Sequence, residues 1–170
     1  VLVNPTNDLV AEVTKCNHLQ RLCIGGGDYD LRLLDTLPEK SLLYYLRVSG
    51  RRLDEKLVGR IGQTPQLAAL NLMRTNVTAS GVRAFDLLPR IIQLNLQSTD
   101  VKLAELGPLK LYERMVDFKA SRPQPGQSDE LRIENAPNLV SLGCYEVDAW
   151  NNKTPMVLRF KNLPQLWQVT

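Results

Sequence analysis

The sequence has few of the residues on which catalytic, metal-binding and disulfide-stabilised proteins depend. Its only histidine, His18, is the one side chain that a Ser/His/Asp or Cys/His device would have to use as base, and its position just before an apolar segment is typical of a surface turn. The three cysteines are an odd number without C-x-x-C spacing, so neither a disulfide framework nor a zinc site is indicated. We therefore expect no catalytic residue, no metal and no cofactor.

Long hydrophobic runs and an excess of one charge are missing as well. No apolar run approaches the roughly 20 residues that cross a bilayer, which argues against membrane insertion. The 21 basic and 18 acidic residues leave a net charge of only +3 and are dispersed along the chain, which argues against a nucleic-acid partner.

The cellular compartment is only weakly indicated by these features. Unpaired cysteines favour a reducing compartment such as the cytoplasm. The chain begins at Val1 rather than at Met, which leaves a removed signal peptide, and with it a secreted or periplasmic location, open.

Leucine is abundant, with 30 of the 170 residues, and it recurs at a fixed period. Segments of the form L-x-x-L-x-L begin 24 residues apart, and the eighteen positions that this period defines are all apolar although apolar residues make up only 44% of the chain. The period predicts stacked units, each contributing a short strand to a shared core. The apolar positions are Leu19, Leu22, Ile24, Leu43, Leu46, Val48, Leu67, Leu70, Leu72, Ile91, Leu94, Leu96, Met115, Phe118, Ala120, Leu139, Leu142 and Cys144.

The same period predicts where helices begin. Thr6, Asp30, Asp54 and Thr78 are 24 residues apart, and all are residue types whose side chains accept a hydrogen bond from the free amides of a first helical turn. Apolar residues follow each of them after four and seven positions, a spacing that places side chains on one helical face. Each unit is therefore predicted to be a short strand followed by a short helix.

Residues 67–82 and 91–101 resemble leucine-rich repeats, and more narrowly the bacterial, planctomycete-like type of 24 residues, in which Thr occupies the turn and is followed by Val-Thr and a Gly-apolar pair. The resemblance implies an α/β solenoid: a curved right-handed stack with a parallel sheet on the concave face and short helices on the convex face. It weakens where residues 121–128 replace a helix start, and where Leu166 and Val169 follow their counterparts after 27 residues. In this last part we expect extended chain or a loop instead of helices.

The resemblance implies one domain that spans residues 1–170. Residues 1–18 form a partial first repeat, residues 19–110 regular repeats and residues 111–170 irregular ones. An array that begins within a unit suggests a segment of a longer protein, or ends that pack on another surface.

The third, fifth and seventh positions of each strand motif are predicted to point away from the core, onto the concave face. Tyr and Arg are enriched at binding hot spots, and amides cluster in the middle of this face. The alternative is that the side chains of Asn71 and Asn95 only form hydrogen bonds with each other on a solvent-exposed sheet, without a role in binding. The residues predicted to contact a partner are Arg21, Tyr45, Arg47, Asn71, Met73, Gln93, Asn95, Gln97, Asp117, Lys119 and Tyr145.

Other conspicuous residues are interpreted structurally. Gly25, Gly26 and Gly27 with Asp28 lack the spacing of a phosphate loop and are predicted to form a strand-to-helix turn. Cys16 and Cys144 fall at apolar positions of the period, and we expect both to be small core residues.

The sequence favours a non-enzymatic module that binds another protein through the concave sheet. The alternative is a structural spacer or sensor arm of a larger enzyme or receptor. The identity of the partner and the oligomeric state stay open.

Overall fold

The computed structural model describes residues 1–27, 29–39, 42–50, 52–121, 129–145 and 156–170. In these parts the chain has an α/β architecture with ten strands, which form two sheets, and three short α-helices. Every strand pairing is parallel. A parallel sheet agrees with the predicted strand-helix alternation, because parallel neighbours need a crossover segment between them.

The larger sheet has eight strands in the order β1-β2-β3-β4-β5-β6-β8-β10, and the smaller one pairs β7 with β9. The strands are β1 (Leu2–Val3), β2 (Arg21–Gly25), β3 (Tyr45–Ser49), β4 (Ala69–Asn71), β5 (Gln93–Leu96), β6 (Asp117–Ser121), β7 (Asp129–Glu134), β8 (Ser141–Tyr145), β9 (Met156–Lys161) and β10 (Gln168–Val169).

The strand register reproduces the sequence period. Leu22 pairs with Leu46, Leu46 with Leu70 and Leu70 with Leu94, so residues 24 apart lie side by side. These four leucines are no more than 2% exposed. The predicted contiguous interior row is confirmed. At the end of the sheet Val169 pairs with Leu142, which is the expected offset of 27 residues.

The three α-helices are α1 (Asn7–Thr14), α2 (Glu55–Gly62) and α3 (Ala79–Arg83), and each begins after a predicted cap. The side chains of Thr6, Asp54 and Thr78 accept hydrogen bonds from backbone amides three residues further on, at 3.4, 2.7 and 3.5 Å. These bonds satisfy amides that have no partner inside the helix.

The fourth predicted cap, Asp30, begins a 3₁₀ helix (Leu31–Leu34) instead of an α-helix. Its carboxylate accepts a hydrogen bond from the amide of Arg32 at 2.9 Å. Pro38 lacks the amide that an α-helix through this segment would need, so the chain continues in a second short 3₁₀ helix. The remaining 3₁₀ helices are Ala84–Leu87, Leu103–Glu105 and Lys110–Glu113.

After β6 the segments behind the sheet are extended. β7 and β9 occupy the part of the sequence where helices would follow in the regular units, and they pair with each other from Asp129 opposite Met156 to Glu134 opposite Lys161. Leu131 and Ile133 of β7 are fully buried and belong to the common core. Strands therefore replace helices as the second layer of the core in this part of the chain.

The core lies between the inward face of the larger sheet and the helices and β7. Cys144 is buried in it as predicted, but the prediction for Cys16 is wrong because that residue is exposed. Cys16 follows α1, which belongs to the outermost unit of the described chain and has a neighbouring unit on one side only. The equivalent position in an inner unit, Leu88, is fully buried.

A residue with a left-handed backbone conformation follows each of the strands β2, β3, β4 and β5. Gly26, Gly50, Arg74 and Ser98 are 24 residues apart and have φ values of 63°, 70°, 58° and 55°. The glycine-rich segment is therefore a strand-to-helix turn up to Gly27, whereas Asp28 lies outside the described residues. A side chain at Gly26 would collide with the carboxamide of Asn4.

The buried row predicts a large cost for removing one leucine. Leu70→Ala leaves a cavity beneath the central strands, and we expect the free energy of unfolding to fall by about 2–5 kcal/mol. Leu87→Ala is the matched control because Leu87 is 73% exposed, and it should change stability by less than about 0.5 kcal/mol. Urea denaturation of both variants measures the difference. Equal losses would contradict the packing described here.

Tyr112 predicts an alkaline limit to stability. Its hydroxyl is buried without a hydrogen-bond partner among the described residues, and burial, reinforced by the charge of Asp86, raises its pKa. The folded protein then keeps the phenol proton where the unfolded chain releases it, so stability is fully present below about pH 10 and falls as the pH rises further. Tyr112→Phe should flatten this fall between about pH 9 and about pH 12 and leave stability at pH 7 unchanged or higher. Denaturation at a series of pH values tests this, and an unchanged slope would contradict it.

Candidate functional site

The outer face of the larger sheet, the side turned away from the core, carries the predicted binding positions. Along β2, β3, β5 and β6 the inward residues are buried, while most of the outward ones are half-buried or exposed. The strand register arranges the outward residues in columns. One column runs Arg21, Tyr45, Ala69, Gln93, Asp117 and Ser141, and the next runs Cys23, Arg47, Asn71, Asn95, Lys119 and Gly143.

Two contacts order the part of this face formed by β2, β3 and the end of β4. The guanidinium carbon of Arg21 lies 4.8 Å from the ring centroid of Tyr45, a cation–π geometry. Beside it, Nη2 of Arg47 lies 3.5 Å from the sulfur of Met73. Four predicted residues are therefore brought together as two neighbouring pairs, and their cationic and aromatic groups stay accessible.

The asparagine side chains in the middle of the face accept hydrogen bonds from backbone amides. Oδ1 of Asn71 accepts a hydrogen bond from the amide of Met73 at 3.1 Å, and Oδ1 of Asn95 accepts one from the amide of Gln97 at 3.0 Å. Nδ2 of Asn95 also donates to Oε1 of Gln97 at 3.0 Å. Asn71 and Asn95 are neighbours in register, as expected. The side-chain oxygen of each, however, accepts a hydrogen bond from a backbone amide two residues further along its own strand end, and not from the other asparagine.

A charged pair lies on β6. Nζ of Lys119 is 3.4 Å from Oδ2 of Asp117, and both side chains are largely covered, at 34% and 24% exposure. Oδ1 of Asp117 is buried without a hydrogen-bond partner among the described residues. Opposite charges of this pair offset each other, so β6 presents polar groups rather than a net charge.

Gln93 and Tyr145 are the two remaining residues predicted to contact a partner. Gln93 is exposed beside Ala69 and Asp117. The backbone of Tyr145 pairs with Ser121 at the end of β8, whereas its side chain lies outside the described residues.

A further set of accessible side chains lies outside the positions predicted from the sequence. These side chains occupy the second position of each motif, which precedes the strand. Ile92 and Val140 at this position are 40% and 37% exposed, and Trp167 is 84% exposed. The sequence contains a signal for this set. Most residues at the second position are apolar, although this position is not one of the three apolar positions of the L-x-x-L-x-L motif.

His18 lies exposed in the turn between α1 and β2. No group of three or more His, Cys, Asp or Glu side chains in the described parts is arranged to hold a metal ion. None of the described helices combines the length and apolar character that crossing a bilayer requires. No family model, curated protein or solved structure matches the chain.

The hydrogen bonds of its side chain predict a structural role for Asn95. Asn95→Ala removes two hydrogen bonds from a half-buried site and should lower the free energy of unfolding by about 1–2 kcal/mol. Asn95→Asp keeps the oxygen that accepts from Gln97 and should cost less than about 1 kcal/mol. Gln93→Ala, on the same strand and face, should change stability by less than about 0.5 kcal/mol. Thermal or urea denaturation ranks the variants, and equal effects of Asn95→Ala and Gln93→Ala would contradict the role.

Proposed function

We propose that this chain is a leucine-rich repeat solenoid of the bacterial 24-residue type, and that its outer face is the concave surface on which it binds another protein. The constant register supports the solenoid. Equivalent residues of successive units pair at an offset of 24 from β2 to β8, and the inward positions form one buried core. Units that cannot bury their apolar faces alone are stabilised by such stacking.

The observation that carries the binding proposal is the ordered group of Arg21, Tyr45, Arg47 and Met73. Arg, Tyr and Met are enriched in protein interfaces, where flat or polarisable side chains give large contact areas. The stacking of Arg21 on Tyr45 and the contact of Arg47 with Met73 restrict these side chains before a partner arrives. Less conformational entropy is then lost on association.

The dimensions of the face suit a protein partner. Eight strands at about 4.8 Å spacing span about 34 Å, which is comparable with one side of a standard interface. The four-residue group would form the centre of contact at β2 to β4, and the Asp117–Lys119 pair would lie in a polar rim.

A structural spacer within a larger enzyme or receptor is the second candidate function. The bonds from Asn71 and Asn95 to backbone amides favour it, because they assign the middle of the face to holding the strands together. In that case the outer face needs no partner, and activity would reside in another part of the protein. An adjacent kinase, protease or ubiquitin-ligase segment in the full gene would support this alternative.

A double substitution separates the two candidates. Tyr45→Ala with Arg47→Ala removes an aromatic ring and a cation from the face without touching the buried row. A protein captured from the source organism by the native chain, then purified and titrated, should bind the variant at least about tenfold more weakly. Isothermal titration calorimetry provides the dissociation constants.

The matched control places the same kind of truncation on the opposite side of the molecule. Arg60→Ala with Leu87→Ala changes two exposed residues of the helical layer and should leave the affinity unchanged. Equal binding by the native chain and the Tyr45/Arg47 variant, with both folded, would rule out the outer face as the binding surface and leave the spacer.

A further inference from the structure

An apolar stripe runs beside the outer face, along the residues that immediately precede the strands. Backbone hydrogen bonds join these residues in sequence: Ile92 donates to Ala68 at 2.8 Å, Val116 to Ile92 at 2.8 Å and Val140 to Val116 at 2.9 Å. Trp167 continues the row by donating to Val140 at 3.1 Å. The stripe therefore consists of neighbouring side chains from successive units, spaced by about 4.8 Å.

The side chains of this stripe are unusually accessible for apolar groups. Ile92 is 40% exposed, Val140 is 37% exposed and Trp167 is 84% exposed, while Ala68 and Val116 are half-buried. Single exposed apolar residues are ordinary, but a contiguous row indicates a contact surface.

Three residues of the stripe, Ile92, Val116 and Val140, line a shallow cleft of about 510 Å³, and we call them its apolar floor. Arg90 and Arg114 line the same cleft. The other lining residues are Pro89, Asn138 and Gln165.

The two arginines give the cleft a positive charge that nothing described in it balances. Arg90 is exposed, and it forms no ion pair with any described residue. Arg114 donates through Nη2 to the carbonyl oxygen of Asp86 at 3.2 Å, and its Nε is buried without a hydrogen-bond partner among the described residues. No carboxylate is among the lining residues.

We propose that this cleft is a second interaction surface, distinct from the outer face, and that it binds an extended acidic segment of a partner protein. Aliphatic side chains of the segment cover Ile92, Val116 and Val140, while its carboxylates bind Arg90 and Arg114. An unpaired guanidinium is best matched by oxygen acceptors that carry charge, since such hydrogen bonds are stronger than neutral ones. Two cations beside an aliphatic floor fit a short acidic and apolar sequence better than the long array of phosphates in a nucleic acid.

The test uses the full chain and a defined probe. A fluorescein-labelled ten-residue peptide in which Glu alternates with Val is titrated with the protein, and anisotropy reports binding. The matched probe has Lys in place of Glu. We expect saturable binding of the acidic peptide only, and weaker binding as the salt concentration rises because the charges are partly exposed.

Two substitutions locate the site. Arg90→Glu reverses one charge, and Ile92→Asp places a carboxylate on the apolar floor; each should weaken binding of the acidic peptide by about tenfold or more. Arg90 is exposed and Ile92 is 40% exposed, so we expect both variants to fold, and circular dichroism checks this. Arg60→Glu, on α2, makes the same change of net charge as Arg90→Glu away from the cleft and should leave the affinity unchanged.

The results separate this proposal from its alternatives. Retained peptide binding in the Tyr45→Ala, Arg47→Ala variant shows that the cleft acts independently of the outer face, whatever becomes of the function proposed for that face. The proposal is overturned if the acidic peptide shows no saturation below about 1 mM, if the Lys peptide binds equally, or if Arg90→Glu and Ile92→Asp have no effect. It is also overturned if sedimentation shows that the stripe is covered by a second copy of the chain.

Discussion

The structure depends on one constraint, the fixed register between parallel strands of successive units. Pairing of Leu22 with Leu46, and of Leu46 with Leu70, carries the inward leucines into a single row and sets every outward column at the same time. Because side chains alternate along a strand, a slip by one residue would exchange the buried and exposed sets. The core and both proposed contact surfaces are thus consequences of the same hydrogen-bond ladder.

The two surfaces use different chemistry because they occupy different positions of the same unit. The outer face begins at the first strand residue and presents Arg21, Tyr45 and Arg47 over a solvated sheet. The cleft lies one residue earlier, where Ile92 and Val140 sit between the end of one unit and the strand of the next. Because the direction of the side chains alternates along the backbone, residues next to each other in sequence lie in different environments.

The parallel α/β architecture was largely predictable from the sequence, and the details of the face were not. Period-24 leucines and the caps Thr6, Asp54 and Thr78 are local signals that recur at a fixed spacing, so their positions follow from that spacing. The exposure of Cys16 depends on its place in the outermost described unit, which a repeat pattern does not encode. For Asn95 the sequence predicts either Asn71 or a bound protein as the partner, whereas in the structure its side-chain oxygen accepts from the backbone amide of Gln97.

The exchange of helices for strands behind the sheet also changes how the units are joined. Between β2 and β6 adjacent units share one hydrogen-bond ladder at the front, whereas at the rear they are joined by side-chain packing and by single side-chain contacts such as that of Arg83 with the carbonyl oxygen of Glu105. The unit that contains β6 and β7 meets the next through two ladders, β6 with β8 and β7 with β9. Packed helices can shift past one another in small sliding motions that paired strands resist, so we expect the molecule to bend mainly in its helix-backed part and the strand-backed part to be stiffer.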